Sequence, residues 1–261
     1  LAETPRVAIE TPRLKGSINL QGARLDDLTL TDHTTELAKD SPPVRLFAPS
    51  GTKDAYFSRF GWAGDGVKLP DDSTIWSADQ SKLTPATPLT LSWANETGQN
   101  FAITLSIDEN YLITAEQSVT NRGENPIALK PYSLINRTRD INNVPPGEVS
   151  SWTIHIGPVG VFDGSANYDI NYDNLAGEEP GVFGSMFGAT AKAGTNSFSK
   201  DVSWLGFSDK YWLGAIIPVN NPKVVGKFRS GANNVFQAEI AREDAQVIAP
   251  GKALMITSRQ Y

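Results

Sequence analysis

Alternation of apolar and polar side chains is the strongest pattern in this sequence. It is clearest near the middle of the chain, where four apolar residues occupy every second position: Phe101, Ile103, Leu105 and Ile107. A period of two is typical of a β-strand with one face in the core. We therefore predict that these four side chains are buried, and that Thr104 faces the opposite, wetter side of the same strand.

Neighbouring segments repeat this pattern. Apolar runs at residues 89–93, 111–121 and 127–135 flank the central strand, and polar turns such as Arg-Gly-Glu-Asn-Pro at 122–126 separate them. Four consecutive strands joined by short turns predict an antiparallel meander.

Both ends of the chain also predict strands. Residues 14–20 and 25–30 form an alternating pair, and three further runs lie near the C-terminus. Residues 175–199, in contrast, hold five glycines and show little periodicity, which predicts a long excursion from a sheet. With 22 glycines and 17 prolines in 261 residues, long helices are disfavoured throughout. We predict an all-β fold, a large antiparallel sandwich with long loops and little helix, in which residues 1–261 form a single domain.

Charge and composition exclude several classes of protein. The chain carries 23 basic and 29 acidic residues, and the basic residues are scattered, so nucleic acid is not an expected partner. It has no cysteine, which removes disulfides, thiolate nucleophiles and cysteine-ligated zinc. No uninterrupted apolar run approaches the roughly 20 residues of a membrane-spanning helix. These residues are therefore expected to form a soluble, monomeric body.

Candidate catalytic residues are few. The only histidines are His33, in a polar loop after a predicted strand, and His155, on the predicted polar face of another. Ser197 and Lys200 have the S-x-x-K spacing of penicillin-binding enzymes, but the K-T-G motif of those enzymes does not occur in the chain. We expect no catalytic residue.

A calcium-loop pattern near residue 170 is incomplete. Asp169, Asn171 and Asp173 have the spacing of the first three calcium ligands. Asn174 stands where such a loop needs glycine, and Pro180 stands where it needs a bidentate glutamate. We therefore predict a strand with a polar face at this point, with no metal site and no cofactor.

Apolar residues in the same region suggest a partner-binding surface. Tyr168 and Tyr172 alternate with the polar residues, and the adjoining glycine-rich segment carries Phe183, Met186 and Phe187 among few charges. Exposed apolar groups on a loop are a common feature of docking sites. The alternative is that these side chains fold back and cover an open sheet edge.

Several stretches together resemble the large periplasmic domain of YidC-type membrane protein insertases from Gram-negative bacteria. These are an aromatic segment at 54–62, a central strand region at 98–137, and two C-terminal segments at 155–164 and 204–218. The Asp-Lys-Tyr-Trp sequence at 209–212 is the most distinctive of the shared features. The similarity runs in order along nearly the whole chain, which is far more specific than any one motif.

The resemblance implies a β-supersandwich like that of galactose mutarotases. In this family the domain lies on the periplasmic face of the inner membrane, between the first and second transmembrane helices, which are not in this chain. The family's insertion chemistry belongs to later transmembrane helices. The implied role is that of an accessory domain.

Two functions follow, from different classes. The first is a non-enzymatic domain that docks Sec translocon accessory subunits or membrane protein clients, and so assists insertion and folding. The alternative is a carbohydrate-binding or aldose-epimerase-like domain. The histidines favour the first, because mutarotases use paired histidines and a glutamate in one cleft. A client site needs an apolar groove, whereas a sugar site needs carboxylates and aromatic rings.

Overall fold

The computed structural model describes residues 4–38, 40–144, 150, 154–176, 195–198, 201–220 and 223–261. Its regular structure is almost entirely β-strand. In chain order the strands and the short helix are β1 (Arg6–Glu10), β2 (Leu14–Asn19), β3 (Arg24–Thr34), β4 (Pro43–Phe47), β5 (Tyr56–Ala63), β6 (Ser77–Ala78), β7 (Lys82–Leu83), β8 (Leu89–Ala94), β9 (Gln99–Ile107), β10 (Ile113–Asn121), β11 (Ile127–Thr138), β12 (Gly157–Phe162), β13 (Ser165–Asn167), α1 (Tyr172–Ala176), β14 (Thr195–Phe198), β15 (Val202–Ser208), β16 (Leu213–Pro218), β17 (Val224–Gly231), β18 (Val235–Arg242), β19 (Gln246–Ile248) and β20 (Ala253–Gln260).

Two sheets contain all of these strands. Within the described residues, the larger sheet has eleven strands in the order β14-β17-β18-β11-β5-β3-β2-β1-β7, with β19 paired to β11 and β4 paired to β3. The smaller has nine, in the order β13-β12-β15-β16-β20-β10-β9-β8-β6. The pairs are antiparallel except for β1 with β7. The predicted large β-sandwich is therefore confirmed.

The inner faces of both sheets supply the hydrophobic core. On β9 the alternation has the predicted effect, because all four of its apolar residues are buried: Phe101, Ile103, Leu105 and Ile107. Thr104 is half-buried on the other face, where its hydroxyl lies 3.2 Å from that of Thr90 on β8. The prediction of which face of this strand is buried is confirmed.

The predicted four-stranded meander is wrong at its last strand. Strands β8, β9 and β10 pair in sequence, but β11 pairs with β5 and β18 in the other sheet. The buried side chain of Asn121 holds the corner between β10 and β11. Its amide nitrogen donates to the carbonyl oxygens of Asn125 (2.8 Å) and Ile248 (2.9 Å), and its amide oxygen accepts from the Gly123 amide. A period of two predicts a strand but does not specify the sheet to which it belongs.

The strand predicted around residue 170 is also wrong. No strand covers residues 168–171, and Tyr172 begins α1 instead. The reason is local, because the side-chain oxygen of Asn171 accepts a hydrogen bond of 2.8 Å from the backbone amide of Asn174. Asparagine in this position caps a helix start.

Two further predictions concern His33 and residues 175–199. His33 lies within β3, near its end, and not in a loop after a strand. The excursion predicted for residues 175–199 falls largely outside the described residues, and its last part contains β14 at the edge of the larger sheet. Among the residues that the structure describes, no helix is long and apolar enough to cross a membrane.

Candidate functional site

An apolar groove of about 310 Å³ lies between the two sheets at one end of the sandwich. Strands β2, β3 and β4 form its wall on the larger sheet, and the ends of β10, β16 and β20 form its wall on the smaller. Most of its lining is aliphatic or aromatic: Leu14, Leu28, Leu30, Leu46, Phe47, Tyr111, Ile113, Tyr211, Trp212, Leu213, Gln260 and Tyr261.

Aromatic residues form the rim of this groove. Tyr211 and Tyr261 are 73% and 53% exposed, which is unusual for large apolar rings. The Tyr261 ring meets the ring of Tyr111 edge to face at 6.4 Å, and Trp212 meets His33 in the same way at 4.8 Å. Rings of this kind offer large, rigid contact areas to an apolar occupant.

Gln260 is the polar exception in the groove lining. It lies near the end of β20, its side chain is 3% exposed, and neither its amide nitrogen nor its amide oxygen has a hydrogen-bond partner among the described residues. A buried polar group without a partner costs about 1–3 kcal/mol. The other buried glutamines are satisfied: Gln117 donates to the Gly61 carbonyl at 2.7 Å, and Gln99 donates to Asn121 at 3.0 Å.

A partly buried ion pair connects the larger sheet to the turn between β15 and β16. The guanidinium of Arg137 on β11 donates two hydrogen bonds, of 2.7 and 2.8 Å, to the carboxylate of Asp209. Asp209 begins the turn between β15 and β16, and its amide donates to the carbonyl of Trp212 at 2.7 Å. The pair therefore joins the two sheets and holds the turn that carries Tyr211 and Trp212.

Two tyrosine rings lie beside arginines of this region. The Arg137 guanidinium lies 4.9 Å from the ring centre of Tyr56, and that of Arg139 lies 5.3 Å from the ring centre of Tyr172. Burial raises the pKa of Tyr172 to about 12, although nearby Arg137 opposes the shift. Burial also raises the pKa of Tyr56 above its ordinary value. Both phenols are therefore held in their neutral form.

We predict that these tyrosines make the protein unstable at alkaline pH. An unfolded tyrosine ionises near pH 10, so between about pH 10 and 12 the unfolded chain releases a proton that folded Tyr172 retains. The folded state should then lose about 1.4 kcal/mol per pH unit for this residue. Tyr172→Phe should remove that part of the slope in urea unfolding measured from pH 8 to 11.5. If the free energy of unfolding falls equally steeply above pH 10 in wild type and in Tyr172→Phe, then Tyr172 ionises at the same pH in the folded and the unfolded protein.

A second cavity, of about 290 Å³, lies on the outer face of the larger sheet and is polar. Its charged groups are already paired with protein groups. Arg59 bonds Asp72 and the hydroxyl of Tyr132, while the Glu239 carboxylate accepts from Gln237 at 2.8 Å. The described residues contain no group of three histidines or carboxylates that could hold a metal ion.

Two of the residues that the sequence suggested for partner binding are described, and they lie in different settings. Tyr168 is 58% exposed and its ring meets that of His155 at 5.8 Å. Tyr172 is 6% exposed and packs against Phe207 and Phe236 in the core. The remaining candidates lie outside the described residues: Phe183, Met186 and Phe187.

The two histidines suggested by the sequence have different neighbours. His155 is half-buried, with its Nδ1 atom 2.8 Å from the Ser208 hydroxyl, and burial lowers its pKa. His33 contacts Trp212 beside the groove. Ser197 lies on β14, and Lys200 lies outside the described residues.

The groove itself was missed by reasoning from the sequence. Its lining comes from six strands and two turns that are far apart in the chain, so no local pattern marks it. One signal was available: the Asp-Lys-Tyr-Trp sequence at 209–212 places a partly buried carboxylate close in the chain to two aromatic residues of the groove lining.

Two solved structures share this arrangement of strands over nearly the whole chain. A putative aldose 1-epimerase from Escherichia coli K12 is 10% identical with a TM-score of 0.57, and the match covers 98% of each chain. A galactose mutarotase-like protein from Lactobacillus casei ATCC 334 is 11% identical with a TM-score of 0.57, covering 98% of this chain and 99% of its own. The chain thus has the galactose mutarotase-like β-supersandwich fold.

Residues 6–261 match the sequence model of the family described as the YidC periplasmic domain, and the chain belongs to that family. The membrane protein insertase YidC of Zymomonas mobilis subsp. mobilis is 43% identical over 255 residues, which are 97% of this chain and 40% of the relative. That of Rickettsia bellii is 35% identical over 268 residues, covering 100% of this chain and 44% of the relative. The chain therefore spans about two fifths of the length of these relatives. The resemblance noted in the sequence is confirmed.

Proposed function

We propose that this chain is a non-enzymatic accessory domain of a membrane protein insertase, and that its apolar groove docks segments of membrane protein clients. In this proposal residues 1–261 form one monomeric domain on the periplasmic face of the inner membrane, tethered there by flanking transmembrane helices. The groove carries the proposal, since it is the feature of the domain whose chemistry matches an unfolded membrane protein.

Membrane protein segments fit this groove better than a polar ligand does. Its walls are leucines and aromatic rings, and the exposed Tyr211 and Tyr261 extend the apolar surface past its mouth. Covering such surface releases about 25 cal/mol for each Å² removed from water. A client segment that has left the translocon but not yet entered the bilayer carries the same kind of surface.

Site-specific crosslinking tests this proposal. A photoreactive phenylalanine analogue at Tyr211 should crosslink to an apolar peptide that represents a transmembrane segment. The same analogue at Val247, which is also 73% exposed but lies outside the groove, serves as the matched control. Crosslinks at both positions, or at neither, would contradict docking in the groove.

A third position compares the groove with the surface suggested by the sequence. The analogue at Tyr168, which is 58% exposed, reports on that region. Crosslinks to the peptide at Tyr168 alone would favour the sequence-based surface. Crosslinks at Tyr211 to Sec translocon subunits, and none to the peptide, would make the groove a translocon site and would overturn client docking.

The carbohydrate alternative would use the polar cavity on the outer face of the larger sheet. We expect no saturable binding of galactose there, because Arg59 and Glu239 are already bonded to protein groups. Mutarotation followed by optical rotation should proceed at its spontaneous rate. An acceleration lost on His155→Ala would contradict the non-enzymatic assignment.

A further inference from the structure

We propose that the ion pair between Arg137 and Asp209 sets the affinity of the groove for clients, because it positions the turn at residues 209–212. This inference rests on the proposed function, and it assigns positioning residues to the groove that this function uses. Two residues of the groove lining, Tyr211 and Trp212, lie on the turn, and the ion pair connects the turn to the larger sheet by two hydrogen bonds.

The ion pair reaches from one sheet to the start of the turn. Arg137 belongs to β11 of the larger sheet, whereas the turn joins β15 and β16 of the smaller sheet. A planar guanidinium that donates two hydrogen bonds fixes the direction of a carboxylate as well as its distance. The backbone amide of Asp209 donates to the Trp212 carbonyl at 2.7 Å, so a shift of Asp209 moves the turn with it.

The far end of the turn rests on the same part of the larger sheet. Gly214 is the second residue of β16, and a β-carbon at this position would lie 2.5 Å from the hydroxyl oxygen of Tyr56. The ring of Tyr56 in turn lies beside Arg137, whose guanidinium is 4.9 Å from the ring centre. Arg137 and Tyr56 therefore locate both ends of the turn.

The ion pair is better suited to fixing geometry than to raising stability. The side chains of Arg137 and Asp209 are 12% and 26% exposed, so both lose most of their hydration on folding. That loss offsets much of the attraction between the charges, and apolar replacement of both partners of such a pair is often neutral or stabilising. Apolar contacts do not reproduce the direction of two hydrogen bonds. The pair therefore contributes more to the position of the turn than to the free energy of unfolding.

Peptide affinity and stability, measured on the same folded variants, test this inference. The probe is a short leucine- and alanine-rich peptide with a fluorophore, whose dissociation constant is measured by fluorescence anisotropy. Arg137→Lys keeps the positive charge but loses the planar two-bond geometry. It should weaken binding roughly 10-fold, the scale on which losing one hydrogen bond to a charged group changes an equilibrium. Arg139 lies 4.0 Å from the same carboxylate, so Asp209 keeps a charge partner in this variant.

A double variant separates geometry from stability. Arg137→Met combined with Asp209→Asn removes both charges and leaves neither partner buried with an unpaired charge. It should weaken peptide binding at least as much as Arg137→Lys does, while the midpoint of urea unfolding stays near that of wild type.

A local probe and a matched control complete the test. A trifluoromethyl-phenylalanine at Tyr211 reports on the turn by fluorine NMR, and the same analogue at Val247 reports on an exposed position outside the groove. Arg137→Lys should shift or broaden the signal at Tyr211 and leave that at Val247 unchanged. Asp26→Asn breaks the ion pair of Asp26 with Arg6, and neither of these lines the groove. It should leave the signal at Tyr211 and the peptide affinity as in wild type.

The outcomes separate this inference from the proposed function. If Arg137→Lys and the double variant bind the peptide as wild type does, the positioning role is wrong while client docking stands, even if the signal at Tyr211 moves. If affinity falls only in step with stability, in Asp26→Asn as in the others, the pair has a structural role alone and the inference is again wrong. If wild type does not bind the peptide, or if Tyr211→Ala leaves binding unchanged, client docking itself fails and the inference fails with it.

Discussion

Replacing Gly206 with alanine is expected to destabilise the protein by more than about 4 kcal/mol, a large part of the stability of a typical domain. Gly206 on β15 pairs with Ala215 on β16. A β-carbon at position 206 would lie 1.9 Å from the carbonyl oxygen of Gly214. Because the obstructing atoms belong to the backbone of a paired strand, no side-chain rotation relieves the clash. Urea unfolding followed by circular dichroism measures the loss.

The matched control for this prediction is another glycine in a strand. At Gly231 on β17 an added β-carbon would meet its nearest neighbour, the Val235 carbonyl oxygen, at 3.9 Å, an ordinary contact. Gly231→Ala should change stability by no more than about 0.5 kcal/mol. Similar losses for the two variants would mean that β15 and β16 separate at little cost.

Leu105→Ala is expected to cost about 2–5 kcal/mol, because it leaves a cavity between the sheets. Leu105 is 3% exposed and lies opposite Leu89 on β8 and Ala115 on β10, the two strands that flank β9 in the smaller sheet. The measurement is again the free energy of unfolding in urea.

Thr104→Ala supplies the control for Leu105, since it changes the next residue of the same strand. It removes only a half-buried methyl group and a hydroxyl contact with Thr90, so its cost should stay near 1 kcal/mol. Equal losses at the two positions would show that the inward face of β9 has been misassigned.

Local patterns predicted the individual strands better than they predicted their arrangement. The alternation in β9 indicated its buried face, because burial on one face selects apolar residues at every second position. The placement of β11 in the larger sheet produces no such sequence pattern. That placement depends on hydrogen bonds from Asn121 to Asn125 and to the distant Ile248, and a single asparagine in a turn does not reveal partners so far along the chain.

The same contrast holds for the candidate site. Tyr168 and Tyr172 were grouped because they alternate with polar residues, but the cap formed by Asn171 begins a helix there and carries Tyr172 into the core. The groove and Gln260 depend on which ends of distant strands meet. Periodicity predicted a large antiparallel sandwich, and the colinear family resemblance specified which one, the galactose mutarotase-like supersandwich.

The place of β20 in the smaller sheet has a consequence for biosynthesis. It lies between β16 and β10, and so it joins β13-β12-β15-β16 to β10-β9-β8-β6. A ribosome makes it after every other described strand, so the two halves of this sheet remain apart until residues 253–260 emerge. Gln260, which belongs to the groove lining, is made with this strand. A domain that still lacks β20 therefore also lacks this part of the groove lining, and the groove is assembled only after residues 253–260 have been made.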